Sequence, residues 1–547
     1  MSFTRSGKVL ATLAKTSQLL ADRKKQGYIV GGFIRDWLLK RDTNDIDIAV
    51  SGDPIAIARK VAEETGGKFV LLDEVNNVAR VLVMETTRSE KAGQNQDSGG
   101  AEWHFDFSSF AGDIESDLAR RDFTINAMAL ELSRFVAACK ATPAKASKTI
   151  TRLAQRRPLL KLIDPLSGRE DLRNKTVRKV SEQIFENDPA RLLRAVRLAA
   201  QLGFTIEPDT EALIRRDAPA VTKVPGERVR EELLRLLALP RAAYYLGYLD
   251  NLGLLLALIP ELAASKGTEQ PTVHFWDVFE HSIQTVAAVE FLLRESDWEY
   301  SNEDMLSSAL WSEAIEKHLS EEVSSGSTYR VLLKLGALFH DIAKPMTKSM
   351  DDTGRARFLG HTKQGAAMTA NILERLRFSN REIAVVESLV YHHLRPVQMA
   401  SEELPTQRAI YRYFRDTGEL GIDILLLALA DYLASRGPLV SMDEWRRNCQ
   451  LANYILTEHE KQQTKILPVK LIDGDDIMRE FGLAPGPLIG KLLSTVSEAH
   501  ASGELSTREE ALALVQRELA TMSKQEATVS PSSENLETRT ISKAKVE

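Results

Sequence analysis

Cysteine is nearly absent from this sequence. Cys139 and Cys449 are the only two in 547 residues and stand far apart, which excludes a disulfide scaffold and a cysteine-rich zinc site and suits a reducing cytoplasm. Long apolar runs are missing too. Stretches such as Leu252 to Ile259 and Ile424 to Ala430 fall well short of the roughly 20 residues that span a bilayer, so no membrane partner is expected. Near the start, the apolar stretch beyond Arg5 and Lys8 is broken at Lys15, so no signal-peptide core forms. A general excess of positive charge is lacking as well. With a net charge of −6, a nucleic-acid partner would have to meet a local basic surface. What is present is the balance of a soluble globular protein, 43% apolar and 27% charged, in a chain long enough for about three or four domains.

Residues 1–136 mix strand and helix signals. Tyr28-Ile-Val-Gly-Gly and Ile46-Asp-Ile-Ala-Val read as short strands around a helix, with further strands at 68–72, 79–84 and 104–107. The polar stretch 86–100 predicts a mobile loop. Residues 137–162 form a connector in which 137–161 carry seven basic side chains and no acidic one, either a solvated linker or a nucleic-acid contact. Beyond it helical periodicity dominates: a neck and body over 163–265, a histidine-dense domain over 271–440 and a C-terminal helical region over 441–522. Residues 523–547 have almost nothing to bury and predict a disordered tail. The expected class is α+β, a small mixed head followed by all-helical domains.

The richest segment is Gly27-Tyr-Ile-Val-Gly-Gly-Phe-Ile-Arg-Asp, followed by Asp45-Ile-Asp47-Ile-Ala-Val. Gly31 and Gly32 end a strand and open a helix, where missing Cβ atoms let backbone N–H groups approach phosphate oxygens. Asp45 and Asp47 are two apart on a strand, so they share a face while Ile46 and Ile48 take the other. Two carboxylates so placed can hold a pair of Mg²⁺ ions, one lowering the pKa of an attacking hydroxyl and one steadying a triphosphate; the alternative is a solvated strand edge. Asp106 in His104-Phe-Asp-Phe has the right alternation for a third carboxylate, or is an ordinary exposed strand residue. In Arg120-Arg-Asp-Phe-Thr-Ile-Asn-Ala127, Arg121 suits a triphosphate, and Asp122 and Asn126 suit sugar hydroxyls or a base edge. The competing reading makes Asp122 a helix N-cap.

These motifs, in this order, resemble the class II CCA-adding enzymes, that is, the tRNA nucleotidyltransferase and poly(A) polymerase family of the polymerase-beta-like superfamily. Residues 25–240 follow the family pattern, and the later part resembles members carrying an HD domain. The resemblance implies a polymerase-beta-like head, then a helical neck, body, HD domain and tail. The activity it implies is template-independent addition of C and A to the tRNA 3′ end from CTP and ATP with Mg²⁺. It assigns Asp45, Asp47 and Asp106 to catalysis, and Gly31, Gly32, Arg35, Arg121, Asp122 and Asn126 to the nucleotide.

Asn187-Asp-Pro-Ala-Arg-Leu-Leu-Arg-Ala-Val-Arg197 starts a helix, with Asp188 and Pro189 also a good cap pair. Arg191, Arg194 and Arg197 recur every third residue on one face, read as aimed at a cleft. An Asp can accept from the exocyclic amine of cytosine or adenine while an Arg donates to the ring nitrogen. Uracil and guanine reverse that pattern, and leaving buried polar groups unpaired discriminates by roughly 10⁴–10⁵. Asp188 and Arg191 match the family's base-reading pair, whereas the usual preceding Glu is Asn187 here. Ile163-Asp-Pro-Leu-Ser-Gly-Arg-Glu-Asp171 and Gly226-Glu-Arg-Val-Arg-Glu-Glu232 read as scaffolding.

His281, His340-Asp341 and Asp431 follow the order of HD-domain phosphohydrolases, whose imidazoles and carboxylates bind a divalent ion that activates water. His361 and one of His392 and His393, with spacing favouring His393, would complete a second metal site. The glycines of 482–490 suit either an RNA phosphate or plain helix packing. Three alternatives stay open: a CC-only, A-only or poly(A)-forming enzyme, an HD phosphohydrolase with a remnant head, and a non-catalytic RNA-binding factor.

Overall fold

The computed structural model describes residues 7–85, 101–140, 161–271, 273–399, 404–464, 471–501 and 503–529. The loop 86–100, most of the basic connector (141–160) and residues 530–547 lie outside the described residues. The chain divides into two compact units, one of Met1–Thr268 with Ser324–Ser327 and Asn371–Ile383, the other holding the remainder.

In the first unit the head runs α1 (Gly7–Asp22), β1 (Gly27–Val30), α2 (Gly32–Leu38), β2 (Asp45–Val50), α3 (Pro54–Thr65), β3 (Lys68–Asp73), β4 (Val78–Glu85), β5 (Ala101–Ser109), α4 (Ile114–Leu118), β6 (Ala129–Glu131), α5 (Leu132–Lys140) and β7 (Leu162–Ile163). The seven strands form one sheet in the order β3-β4-β5-β2-β1-β6-β7. Only β2 and β5 pair in parallel; the other neighbours are antiparallel. Local chemistry sets the helix ends. Asp53 caps α3 by accepting from the Ile55 and Ala56 amides, Pro54 opens it, and Gly66 closes it in the left-handed conformation. Period-two alternation buries Ile46, Ile48, Val81, Phe105 and Phe107 on one sheet face and leaves Asp45, Asp47, Arg80, His104 and Asp106 to the other.

Behind the head, helix Ala190–Leu202 buries Leu192, Leu193, Val196 and Leu198 and ends at left-handed Gly203. It packs along helix Gly226–Leu237. Residues 371–383, within the span expected for the histidine-dense domain, join this unit: Arg230 pairs with Glu382 and Arg375 with Glu261.

In the second unit, helix Val278–Leu292 is buried on nearly every side and packs on Tyr329–Phe339 and Gly421–Arg436. The C-terminal helices Gly474–Phe481, Pro487–Ala501 and Arg508–Val529 share a small core that includes Ile472, Ile477, Leu492 and Val515. The last helix runs to Val529, which corrects the expectation of disorder from 523. That expectation rested on the lack of apolar residues, but Lys, Gln, Glu and Ala propagate a helix without needing burial.

The central helices also bury a charge. Lys334 is wholly inaccessible, 3.1 Å from Glu290 and 2.6 Å from Glu295. Replacing Lys334 with Met removes the ammonium the two carboxylates share, leaving Glu295 to Arg330, and is expected to cost ~3–5 kcal/mol, read from the denaturant midpoint. Adding Glu290→Gln should restore part of the loss.

Candidate functional site

The parallel pairing of β2 with β5 sets Asp45 opposite His104 and Asp47 opposite Asp106, and β4 sets Arg80 opposite Asp106. Asp45 is exposed and bonds His104 Nδ1 at 2.8 Å, while Asp47 is half-buried. Asp106 is gripped by Arg80, Nε to Oδ1 at 2.6 Å and Nη2 to Oδ2 at 2.8 Å. Above Asp47 runs the glycine bend. Gly31 has φ +73°, and a Cβ there would stand 2.8 Å from Asp47 Oδ2 and 3.3 Å from Arg121 Nη1, so only glycine fits. Burial pushes the Asp47 carboxyl above its usual range; Arg121 pulls it back, and the charges of Asp106 and Asp45 push it up again. Three carboxylates crowded on one face, all hard oxygen donors, fit a cation such as Mg²⁺.

Three of the other expected nucleotide residues, Arg35, Asn126 and Asp122, form a buried relay that ends on the exposed Arg194. Arg35, packed beside Gly32, donates to both oxygens of Asp36 and, at 2.7 Å, to Asn126 Oδ1. Asn126 donates to Asp122 at 3.0 Å, and Asp122 pairs with Arg194 Nε at 2.8 Å. Burial alone would raise the Asp122 carboxyl; Arg194, Asn126 and the Phe123 amide together hold it below the usual range. Asp122 is thus a junction rather than a helix cap, since the short turn Thr124–Asn126 is preceded by Phe123 and has no side-chain cap. Arg121 leans over the glycine bend while bonded to Asp117.

Asp188 accepts from the Ala190 amide at 3.2 Å, and both its oxygens are held by Arg228 at 2.8 and 2.9 Å. Arg191 donates to the carbonyls of Arg121 and Arg120 at 3.3 and 3.1 Å, and its Nε is 3.7 Å from Asp188 Oδ2. Arg197 departs from the expected cleft-facing row. It is buried between Glu232 and Gln201, because a third arginine on that face falls against helix Gly226–Leu237. Arg80, His104, Arg228 and Glu232 escaped the sequence reading. Arg228 and Glu232 lie four apart in a motif assigned to scaffolding, and Arg80 interrupts an apolar strand without any marker of its partner.

In the second unit, His281 Nε2 lies 3.1 Å from His340 Nε2, 3.0 Å from Asp431 and 3.4 Å from Asp341 Oδ2. Asp341 Oδ1 faces His361 and His393 at 3.4 and 3.8 Å, so one carboxylate joins two ligand groups. His393, not the half-exposed His392, turns inward. Backbone carbonyls of Ala337, Phe358 and Val390 accept from Nδ1 of His340, His361 and His393, which leaves each Nε2 lone pair aimed at the cluster. Asp341 Oδ1, His361 Nε2 and His393 Nε2 are buried without a hydrogen-bond partner among the described residues. Burial opposes charge on His340, yet Asp341 and Asp431 raise it to about 10, so a divalent ion would displace a proton from its Nε2, whereas burial takes His393 down to about 4. Such a set of nitrogens and carboxylates fits divalent ions. Lys344, also missed, pairs with Asp341 at 2.5 Å and lines, with Arg357, a cavity of about 540 Å³ over the cluster.

Comparison with known proteins places these regions in described families. Residues 27–178 match the family described as Poly A polymerase head domain, 203–266 the probable RNA and SrmB-binding site of polymerase A, and 278–436 the HD domain. The A-adding tRNA nucleotidyltransferase of Deinococcus radiodurans is 34% identical over 496 residues, 89% of this chain and 94% of that one. The CC-adding tRNA nucleotidyltransferase of Thermus thermophilus is 32% identical over 499 residues, 90% and 93% of the two chains. The solved Thermotoga maritima CCA-adding enzyme, complexed with tRNA, shares the fold at a TM-score of 0.54 and 20% identity, covering 94% of this chain and 96% of that one. With an aligned head, an RNA-binding region and an HD domain over nearly its whole length, this chain belongs to the tRNA nucleotidyltransferase family.

Proposed function

We propose that the protein adds C and A nucleotides to the 3′ end of tRNA from CTP and ATP, without a template, in the cytoplasm. The observation that carries this is the row of Asp45, Asp47 and Asp106 on one sheet face beneath the Gly31 bend. Asp45 and Asp47, with Asp106 beside them, would hold Mg²⁺, which when bound activates the terminal hydroxyl and offsets charge on the departing pyrophosphate. Backbone N–H groups at Gly31 and Gly32 meet the triphosphate, and Arg121 adds a charge-assisted bond. Arg35 and Asn126 act from below, fixing the turn that carries Arg121 and Asp122.

Asp188 accepts from the exocyclic amine and Arg191 donates to the ring nitrogen, a pattern shared by cytosine and adenine alone. Both are pre-oriented, Asp188 by Arg228 and Arg191 by two carbonyls, so little ordering remains when a base arrives. Arg194 stiffens this helix against Asp122, and Arg197 serves the scaffold. The HD cluster is a second centre for divalent ions and for hydrolysis of phosphate esters, as its paired ligand groups suggest. No helix among the described residues is long and apolar enough to cross a membrane.

A narrower reading has its own support: the two relatives cited above, each matched over about nine-tenths of this chain, perform by name only A or only CC addition. Sequencing the products formed from tRNAs ending before C, CC or A, given all four nucleotides, decides between full and partial addition. Full CCA on the shortest substrate supports the broader reading, and a stop after CC, or extension of the CC-ended tRNA alone, replaces it. Asp47→Asn should lower addition by roughly 10³-fold while His340→Ala leaves it within about twofold. The opposite pattern would reject the head as the polymerising centre. Gly31→Ala, forced against Asp47, should cost roughly 10²-fold in kcat/KM with a normal melting curve.

A further inference from the structure

Arg80 stands where a cation site has least use for another positive charge. β4 brings it opposite Asp106, and β5 brings Asp106 opposite Asp47, so one guanidinium and two carboxylates form a row across three strands. Its fork takes both oxygens of Asp106. The pair is only partly exposed, 29% for Arg80 and 22% for Asp106, so solvent screens it incompletely. The bond to Asp106 holds the guanidinium charge most firmly, and the more distant Asp45 and Asp47 reinforce it. The other carboxylates on this face are less committed: Asp45 bonds the edge of His104, and Arg121, the main opposing charge on Asp47, is shared with Asp117.

We propose that Arg80 is a charge gate on the third carboxylate. By neutralising Asp106 it keeps a free divalent ion weakly bound on this face, so that the ion is held tightly only together with the nucleotide triphosphate. The physics is ordinary. A bidentate guanidinium occupies oxygen lone pairs a metal would use and sets a like charge close to where the ion must sit. An arriving triphosphate restores negative charge, and its oxygens fit the same guanidinium fork, giving Arg80 a second partner and releasing Asp106. The proposal rests on the reading that Asp45 and Asp47 hold divalent ions.

The test is Mn²⁺ binding to the full chain without nucleotide, followed by the electron paramagnetic resonance of free Mn²⁺. The Asp45→Asn, Asp47→Asn double variant defines the ions held elsewhere, and its isotherm is subtracted. Arg80→Gln should bind the head ion ~10-fold or more tightly than the unaltered protein, within the range by which outer contacts tune metal sites. Arg80→Lys, which keeps the charge, should bind near the unaltered level. The gain should vanish when Asp106→Asn is added, and it should shrink when an unreactive CTP analogue supplies the triphosphate. No tightening in Arg80→Gln, or equal tightening in Arg80→Lys, overturns the gate. If the tightening of Arg80→Gln persists when Asp45→Asn and Asp47→Asn are added to it, the metal role of Asp45 and Asp47 fails first, and the gate with it.

Discussion

Like charge held close on one face of a sheet is the constraint around which the head is built. Burying Ile46, Ile48, Phe105 and Phe107 turns Asp45, Asp47 and Asp106 together toward the opposite side, and the parallel register leaves them no way apart. Carboxylates so placed repel one another, and burial first, then the charges of Asp106 and Asp45, raise the proton affinity of Asp47 above the usual range. The arrangement persists because cations answer it: Arg80 on Asp106, Arg121 above Asp47, and by our proposal divalent ions between them. The bend at Gly31 is part of the same constraint, since any side chain there would enter the space of the Asp47 carboxylate.

From that face a line of hydrogen-bonded polar groups runs through the head into the helices behind it. Asp36, Arg35, Asn126, Asp122 and Arg194 follow in order, each satisfying the next. Buried polar networks are costly when incomplete and rigid when complete, so this one fixes helix Ala190–Leu202 against the turn carrying Arg121. Asp188 and Arg191 occupy the first turn of that helix region and inherit its position. The same first unit is tied down by Arg197 with Glu232 and by Arg230 with Glu382.

The second unit meets the same need for a cation with softer ligands. Imidazoles dominate, their tautomers set by backbone carbonyls, and Asp341 serves both groups from its two oxygens. Nitrogen donors favour transition metals, whereas the three carboxylates of the head suit a hard cation such as Mg²⁺. The two ligand sets therefore suit different ions.

The sequence by itself determined much of this. Alternation in Asp45-Ile-Asp47-Ile is enough to send the carboxylates to one face, because a strand's period of two allows nothing else. The glycine pair, the order of the histidines and the choice of His393 over His392 were legible from spacing. The arginines were not. Which carboxylate Arg80, Arg197 or Arg228 meets depends on register between strands and on how two helices pack, and nothing local encodes either. The tail was misjudged at its start because helix propensity carries the last helix beyond the residues that anchor it in the C-terminal core. Local periodicity assigns a side chain to a face, but only the tertiary structure decides what stands opposite, since long charged side chains find their partners across elements distant in the chain.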